Sequence, residues 1–168
     1  KDLVDLYNSG ENAQLKNNMN GTSRLVKLTK DYLLLESTER TTLELKLLPL
    51  VNNTFVICKI ITVKAPVADS RIAFFSPDWK PLNASDLLEP VTARWFIRED
   101  ADKTSIAFQE STSRLDMDLF EYKLSPDDYT LTQIYTTPQY TDKETQKKLR
   151  PFLKDSPKVY TWTKSYFK

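Results

Sequence analysis

The amino-acid sequence predicts an α+β fold that is mainly an antiparallel sheet. Three observations lead to this class. Short apolar runs of strand length follow one another from residue 24 to residue 75, a turn sequence at residues 125–128 separates two further runs, and the clearest helical spacing lies near the two ends. We expect a meander, then a C-terminal hairpin and a final strand, with the N-terminal and C-terminal-region helices on one face.

The first predicted elements are a short helix and two strands. Residues 2–7 (DLVDLY) place apolar side chains at i, i+3 and i+4, which is the spacing of a helical stripe. The Asn-rich stretch that ends at Gly21 is expected to be a loop. The runs RLVKLT (24–29) and YLLLEST (32–38) are then predicted to be strands.

A strict alternation marks the next strand. In the run TTLELKLLPL, the apolar residues Leu43, Leu45 and Leu47 are separated by Glu44 and Lys46. This period of two is typical of a sheet with one solvated face.

Two following runs predict interior strands. TFVICKIITV (54–63) and RIAFFS (71–76) are apolar at both parities, so each is expected to be covered on both faces. Asn52 and Asn53, which tolerate positive φ, predict the hairpin turn before the first of them. We expect a helix to cover the second face of the sheet.

The second half of the chain predicts a hairpin and a helix. MDLFEYKL (117–124) and YTLTQIYTT (129–137) flank the SPDD sequence, which has proline at the favoured second position of a turn. TDKETQKKL (141–149) is predicted to be a helix opened by a capping box between Thr141 and Glu144.

The last predicted strand, KVYTWTKSYF (158–167), carries an aromatic stripe. Tyr160, Trp162 and Tyr166 are expected to share one side of it. Such a stripe can be a platform for a carbohydrate or a peptide, or it can close the core of the protein. The sequence leaves both interpretations open.

Composition limits the size, the partners and the chemistry. A chain of 168 residues fits one α+β domain over residues 1–168, or two lobes that meet near residues 83–104. The 24 Lys and Arg against 23 Asp and Glu give a net charge of +1, which argues against nucleic acid as a partner. No apolar run approaches the length of a transmembrane segment.

Several kinds of catalysis are excluded. The sequence has no histidine, its only two glycines are isolated, and the single cysteine, Cys58, lies in an apolar run. We therefore expect no zinc or other metal site, no nucleotide or other cofactor, and no enzyme activity or catalytic residue. One pair of carboxylates, Asp116 and Asp118, would project from one face of a strand, which leaves a carboxylate-based glycan hydrolase as the alternative.

The segment DSRIAFFSPDWKPL (69–82) has two competing interpretations. In the first it specifies the fold: Asp69 and Arg71 contact each other, Phe74 and Phe75 belong to a core strand, and Pro77 belongs to a sharp turn. Trp79 then closes over the edge of the sheet.

In the second interpretation the same turn is a recognition site. Asp78, Trp79 and Lys80 point outward, and a tryptophan flanked by charges is a favoured anchor at protein interfaces.

Residues 68–82 (ADSRIAFFSPDWKPL), together with TTLELKLLPL and the closing VYTWTKSYF, resemble domain of unknown function family 3256. This family is a group of small secreted or envelope proteins from Bacteroides-type gut bacteria, and the similarity extends over about residues 3–167. The resemblance implies an exported protein, in the periplasm, on the outer membrane surface or secreted, whose leader is missing here. It transfers no catalytic residues.

The expected function is therefore a non-catalytic envelope or secreted module that binds an envelope protein or a glycan. The alternatives are the glycan hydrolase and a structural subunit that pairs through a sheet edge. The sequence leaves the ligand and the oligomeric state open.

Overall fold

The structure is a computed structural model that describes residues 2–18 and 21–168. Seven strands form the first sheet: β1 (Gln14–Lys16), β2 (Thr22–Leu28), β3 (Tyr32–Thr38), β4 (Thr41–Pro49), β5 (Phe55–Lys64), β6 (Ala68–Phe75) and β7 (Pro81–Leu82). Three form the second: β8 (Phe120–Leu124), β9 (Thr130–Tyr135) and β10 (Lys158–Thr161). The helices are α1 (Leu3–Asn8), α2 (Ile106–Thr112), α3 (Thr137–Tyr140) and α4 (Lys143–Leu149), with short 3₁₀ turns at Ala84–Asp86, Ala93–Phe96 and Arg150–Phe152.

The first sheet is an antiparallel meander in which β1 to β7 lie in sequence order. This arrangement confirms the predicted fold class. Strand β1 was not expected, because residues 14–16 were assigned to a loop. Its three side chains are all exposed, so the sequence carries no apolar pattern there, and the strand is defined by its pairing with residues 22–24 of β2. Residues 19 and 20 of the predicted loop lie outside the described residues.

The second sheet has the order β10-β9-β8 and contains the predicted hairpin. The turn between β8 and β9 is closed by the Ser125 N–H, which donates to the carbonyl oxygen of Thr130 at 3.0 Å. The Ser125 hydroxyl also accepts from the N–H groups of Asp127 and Asp128, both at 3.2 Å. The polar side chains of the SPDD sequence thus hold the turn.

The edge strand β8 fastens the two sheets together. Its outward N–H groups donate to side chains of the first sheet: Phe120 to Asp69 (3.4 Å), Tyr122 to Ser70 (3.0 Å) and Leu124 to Glu44 (2.8 Å). The N–H groups of Tyr122 and Leu124 are partly buried and need a partner, which side chains of β6 and β4 supply. The inner face of the first sheet is therefore the one that meets β8.

The hydrophobic core lies between the sheets and draws residues from both. Phe74 of β6 is 1 % exposed and its ring lies 6.3 Å from that of Phe167. The Trp162 indole N–H donates to the carbonyl oxygen of Pro49 at 2.6 Å, which ties the C-terminal segment to the end of β4. The core cluster comprises Tyr32, Leu48, Val56, Cys58, Ile60, Phe74, Leu88, Tyr122, Leu124, Leu131, Tyr160, Trp162 and Phe167.

The helices are short. Helix α1 contacts β1 and β2, whereas α2 and α4 contact each other. The predicted helix at residues 143–149 is present, but its N-cap is Asp142, whose carboxylate accepts from the N–H groups of Glu144 and Thr145. The capping box at Thr141 was therefore placed one residue too early; the Thr141 hydroxyl instead donates to the carbonyl oxygen of Pro138 at 2.7 Å. In the described part of the chain, no helix has the length and apolarity needed to cross a bilayer.

The final strand is shorter than predicted. β10 ends at Thr161, and the chain then folds back on itself, with Thr161 and Lys168 exchanging backbone hydrogen bonds of 2.9 and 3.0 Å. Lys164 has a φ of 69°, a left-handed conformation that reverses the chain. The expected stripe of three aromatic residues is consequently broken after Trp162.

Candidate functional site

The β6–β7 hairpin turn is the most distinctive local structure of the chain. The Trp79 N–H donates to the carbonyl oxygen of Ser76 at 2.9 Å, and the Ser76 N–H donates to that of Lys80, also at 2.9 Å. The Ser76 hydroxyl accepts from the Lys80 N–H at 3.2 Å. The sharp turn predicted around Pro77 is confirmed, and five residues suffice to close it.

Trp79 occupies a position in this turn that favours glycine. Its φ is 61°, in the left-handed region, where a side chain costs about 1–2 kcal/mol. In hairpins of this length, the residue that closes the loop in the left-handed conformation is usually glycine. A bulky residue at such a φ is a local outlier, and outliers of this kind concentrate at functional sites.

The Trp79 ring lies partly on the sheet and partly in solvent. Its centroid is 5.6 Å from that of Phe75, yet the residue remains 54 % exposed. Asp78 and Lys80 on either side are exposed as well. The turn thus combines features of both interpretations, because the indole packs on the sheet and is also presented to solvent between two opposite charges.

The expected contact between Asp69 and Arg71 does not form among the described residues. Asp69 instead accepts from the Phe120 N–H, and Arg71 is exposed on β6 opposite Ile61. Residues two apart on a strand are about 7 Å apart, so the Asp69 carboxylate, which reaches toward β8, is too far from the Arg71 guanidinium to contact it. The placement of Phe74 in the core is as predicted, while Phe75 is half-buried beneath Trp79.

The aromatic residues of the C-terminal strand separate into buried and exposed ones. Tyr160 is 3 % exposed, and Trp162 is 6 % exposed, so both belong to the core and not to an open platform. The Tyr160 hydroxyl donates to the side-chain oxygen of Gln133 at 2.7 Å and accepts from the Val91 N–H at 2.8 Å. Tyr166, beyond the chain reversal, is 47 % exposed.

An open groove of about 650 Å³ lies beside Tyr166. Trp95 and Tyr160 contribute to its wall, and the charged side chains of Asp86, Glu89, Lys158 and Lys168 line it. Sequence reasoning missed Trp95, because the run around it suited a helix or a strand equally; it lies in the 3₁₀ turn Ala93–Phe96.

Two lysine side chains lie close to the Trp95 ring. The Lys154 Nζ lies 4.1 Å from the ring centroid, and the Lys158 Nζ lies 5.8 Å from it. Lys154 also lines a neighbouring cleft of about 460 Å³ beside α4, whose other charged members are Arg150 and Asp155. Cation–π contacts of this kind fix the orientation of an indole.

The predicted carboxylate pair is not built on a strand. Asp116 and Asp118 lie in the connection before β8, which begins only at Phe120, and both are exposed. The short apolar run around them resembled a strand, but pairing with β9 starts at Phe120. Among the described residues, 2–18 and 21–168, no three His, Cys, Asp or Glu side chains lie close enough together to bind a metal ion. Cys58 is fully buried, and burial raises the pKa of its thiol.

A family model described as "Protein of unknown function (DUF3256)" matches residues 1–167. This chain belongs to that family. The resemblance drawn from residues 68–82 is thereby confirmed, and the family provides no described activity to transfer.

A solved structure resembles the DUF3256 chain over almost its whole length. It is described as the structure of a domain of an uncharacterized protein from Porphyromonas gingivalis W83, and it has a TM-score of 0.87 and 26% sequence identity. The match covers 98% of this chain and 87% of that one. The search of curated proteins gave no match.

Proposed function

We propose that this DUF3256 chain is a non-catalytic, exported module that binds a protein partner through the Trp79 turn. The observation that carries the proposal is the exposed indole held at a φ of 61°. A glycine would close the same turn without strain. The turn itself does not require a bulky side chain, so we infer that the Trp79 ring serves binding.

The chemistry of the turn suits a protein interface. Trp is the residue type most enriched among interface hot spots, and the ring of Trp79 is supported from below by Phe75. Because Phe75 already restricts the Trp79 ring, binding a partner would remove less side-chain entropy. Exposed Asp78 and Lys80 offer one acceptor group and one donor group at the rim.

The absence of catalysis and the exported location are parts of the same proposal. A sequence without histidine, a buried Cys58 thiol and exposed carboxylates in a connection support a binding function. The family resemblance supports an exported location.

We expect Trp79→Gly and Trp79→Ala to abolish capture of the partner while leaving the protein folded. In the glycine variant the relief of strain offsets the lost ring contact, so the free energy of unfolding should change by less than about 1 kcal/mol. The measurement is chemical crosslinking of purified protein into envelope extract, followed by identification of the captured proteins and direct binding to each.

The matched control is Tyr140→Ala, which removes a ring of similar exposure, 51 % against 54 %. It should capture the same partner as the wild type. Equal capture by wild type and both Trp79 variants would contradict the proposal.

The groove beside Tyr166 favours a glycan as a second candidate ligand. Carbohydrate faces stack on aromatic rings, and carboxylates such as those of Asp86 and Glu89 accept from sugar hydroxyls. We expect Tyr166→Ala to weaken binding of a recognised oligosaccharide by about tenfold, measured by calorimetry after screening a glycan array. Binding that is unchanged in this variant, or equally weakened by Tyr140→Ala, would count against the groove.

A further inference from the structure

The alternation of β4 is inverted with respect to solvent. Lys46 is 1 % exposed and Glu44 accepts from the Leu124 N–H, so the charged side chains face the second sheet. Leu43, Leu45 and Leu47 therefore lie on the opposite side, which we call the outer face of the first sheet. An antiparallel sheet with one solvated face normally shows the reverse arrangement.

The register of the sheet extends this apolar surface across four strands. Residues directly opposite each other in neighbouring strands share a face. The outer face therefore carries these cross-strand pairs: Leu33 with Leu45, Leu35 with Leu43, Leu43 with Ile61, Leu47 with Ile57, and Ile57 with Phe75. Ile61 is 37 % exposed and Val63 is 45 % exposed.

The helix that we expected on this face is not there. Helix α1 contacts β1 and β2, and in β2 the side chain of Leu25, which lies opposite Leu35, is 4 % exposed. Strand β8 contacts β4, β5 and β6 from the inner side through Glu44 and Ser70. Near the β6–β7 turn this face is covered, because Ile57 is 5 % exposed and Phe75 lies beneath Trp79. Elsewhere its leucines are half-buried and Ile61 and Val63 are exposed, so no described element fully covers the rest of the outer face.

We propose that a second copy of this chain covers the outer face, so that two first sheets pack face to face in a two-fold dimer. Packed sheets lie about 10 Å apart with interdigitating side chains, and a face of leucines is complementary to itself. This inference goes beyond the proposed function, and it rests on the leucine-rich part of the outer face and not on the Trp79 ring, which lies beside it over Phe75.

The size of the face is sufficient for such a dimer. Four strands spaced about 4.8 Å apart, with about eight residues each at about 3.3 Å per residue, span roughly 500 Å². Two copies together bury about 1,000 Å², which is the lower limit for a biological interface and less than the roughly 1,200–2,000 Å² of stable complexes, so we expect a weak dimer that forms as the concentration rises.

Charge also fits a two-fold axis that runs along the strands. Such an axis places the β5–β6 side of one copy near α1 of the other. The first side carries Lys59 and Arg71 together with the exposed Asp69, and α1 with its cap carries the exposed carboxylates of Asp2 and Asp5, so the first side has an excess of one positive charge and the second is negative. Opposite charges thus meet at both ends of the interface, while the leucines meet at its centre.

The test is a pair of outer-face substitutions that keep the monomer stable. Leu45→Glu places a carboxylate opposite Lys59, and Ile61→Glu places one opposite Arg71, so each forms a favourable cross-strand pair within the chain. Burying both carboxylates in a dimer would be costly. By sedimentation equilibrium we expect wild-type protein to dimerise with rising concentration, and the double variant to raise the dimer Kd by at least about 100-fold.

A matched control variant adds two carboxylates at positions away from the outer face. Val159→Glu with Ile106→Glu replaces apolar residues that are 49 % and 74 % exposed, away from the outer face, and should dimerise like the wild type. Circular dichroism reports whether each variant is folded. Wild-type protein that stays monomeric at every concentration overturns the proposal whatever the variants do.

Two further outcomes would also overturn it. One is a folded outer-face variant that dimerises as strongly as the wild type. The other is a wild-type monomer that binds phospholipid vesicles in flotation, or another envelope protein, through Leu45 and Ile61, since either would assign the face to a different occupant.

Discussion

Asp31→Ala is expected to lower the free energy of unfolding by about 3–5 kcal/mol, because it leaves a buried lysine without its counter-ion. The Lys46 ammonium lies 3.3 Å from the Asp31 carboxylate and donates to the carbonyl oxygen of Pro126, also at 3.3 Å. The ring centroids of Tyr32 and Tyr129 are 5.7 and 5.0 Å from it. Lys46 is 1 % exposed, so its ammonium has little access to water that could replace the lost carboxylate, although the Asp31 side chain itself is 20 % exposed.

The measurement is denaturant unfolding of the wild type, of Asp31→Ala and of the double variant that also carries Lys46→Met. Adding Lys46→Met to Asp31→Ala should recover most of the lost stability, because a thioether of similar length fills the site without a charge. Loss of less than about 1 kcal/mol in the single variant, or no recovery in the double variant, would mean that Lys46 is hydrated in solution.

Glu44 is expected to make the protein less stable as the pH rises toward 8. Burial raises the pKa of Glu44 to about 7 from an ordinary value of 4.5, although the hydrogen bond from the Leu124 N–H opposes the change. Between these values the folded state holds a proton that the unfolded state has released. The stabilising contribution of the protonated Glu44 is therefore complete below about pH 4.5 and is lost as the pH rises through 7, by on the order of 3 kcal/mol.

Few other side chains titrate in the pH range in which Glu44 titrates. The sequence has no histidine, and no other side chain type has a reference pKa between 5 and 8. Glu44→Gln keeps an acceptor for the Leu124 N–H and cannot ionise, so its stability should be nearly constant between about pH 5 and about pH 8. The measurement is the denaturant midpoint across that range. A wild-type midpoint that does not fall would show that Glu44 ionises freely in the folded protein.

Much of the fold could be predicted from the sequence, because local patterns define it. The helix at residues 2–7, the strand order of the meander and the SPDD hairpin each follow from periodicity and turn chemistry within ten or so residues. Strand β1 could not be predicted, since three exposed side chains carry no period. The N-cap of α4 was misplaced by one residue because Thr141 and Asp142 are both good caps.

The candidate sites were less predictable, because they depend on which side of an element meets the rest of the chain. The pattern of Leu43, Glu44 and Lys46 is compatible with either face being buried, and the choice is made by partners about eighty residues away, such as Leu124 and Pro126. The aromatic period of the last strand ended at a left-handed Lys164 that nothing in the sequence marks. Trp79 was found from its neighbours, but its strained φ is visible only in three dimensions.

The edge strands are short or already hydrogen-bonded, and this limits how large an assembly the protein can form. The edge strands β1, β7 and β10 are only three, two and four residues long, and the outer N–H groups of β8 already donate to Asp69, Ser70 and Glu44. Filaments grow when each added molecule presents a fresh edge to the next, and these edges offer little to extend. Association through a single flat surface, by contrast, is finished once two molecules have met. Even at the high local concentrations of a crowded compartment, the protein should therefore stop at a discrete particle and resist ordered polymerisation.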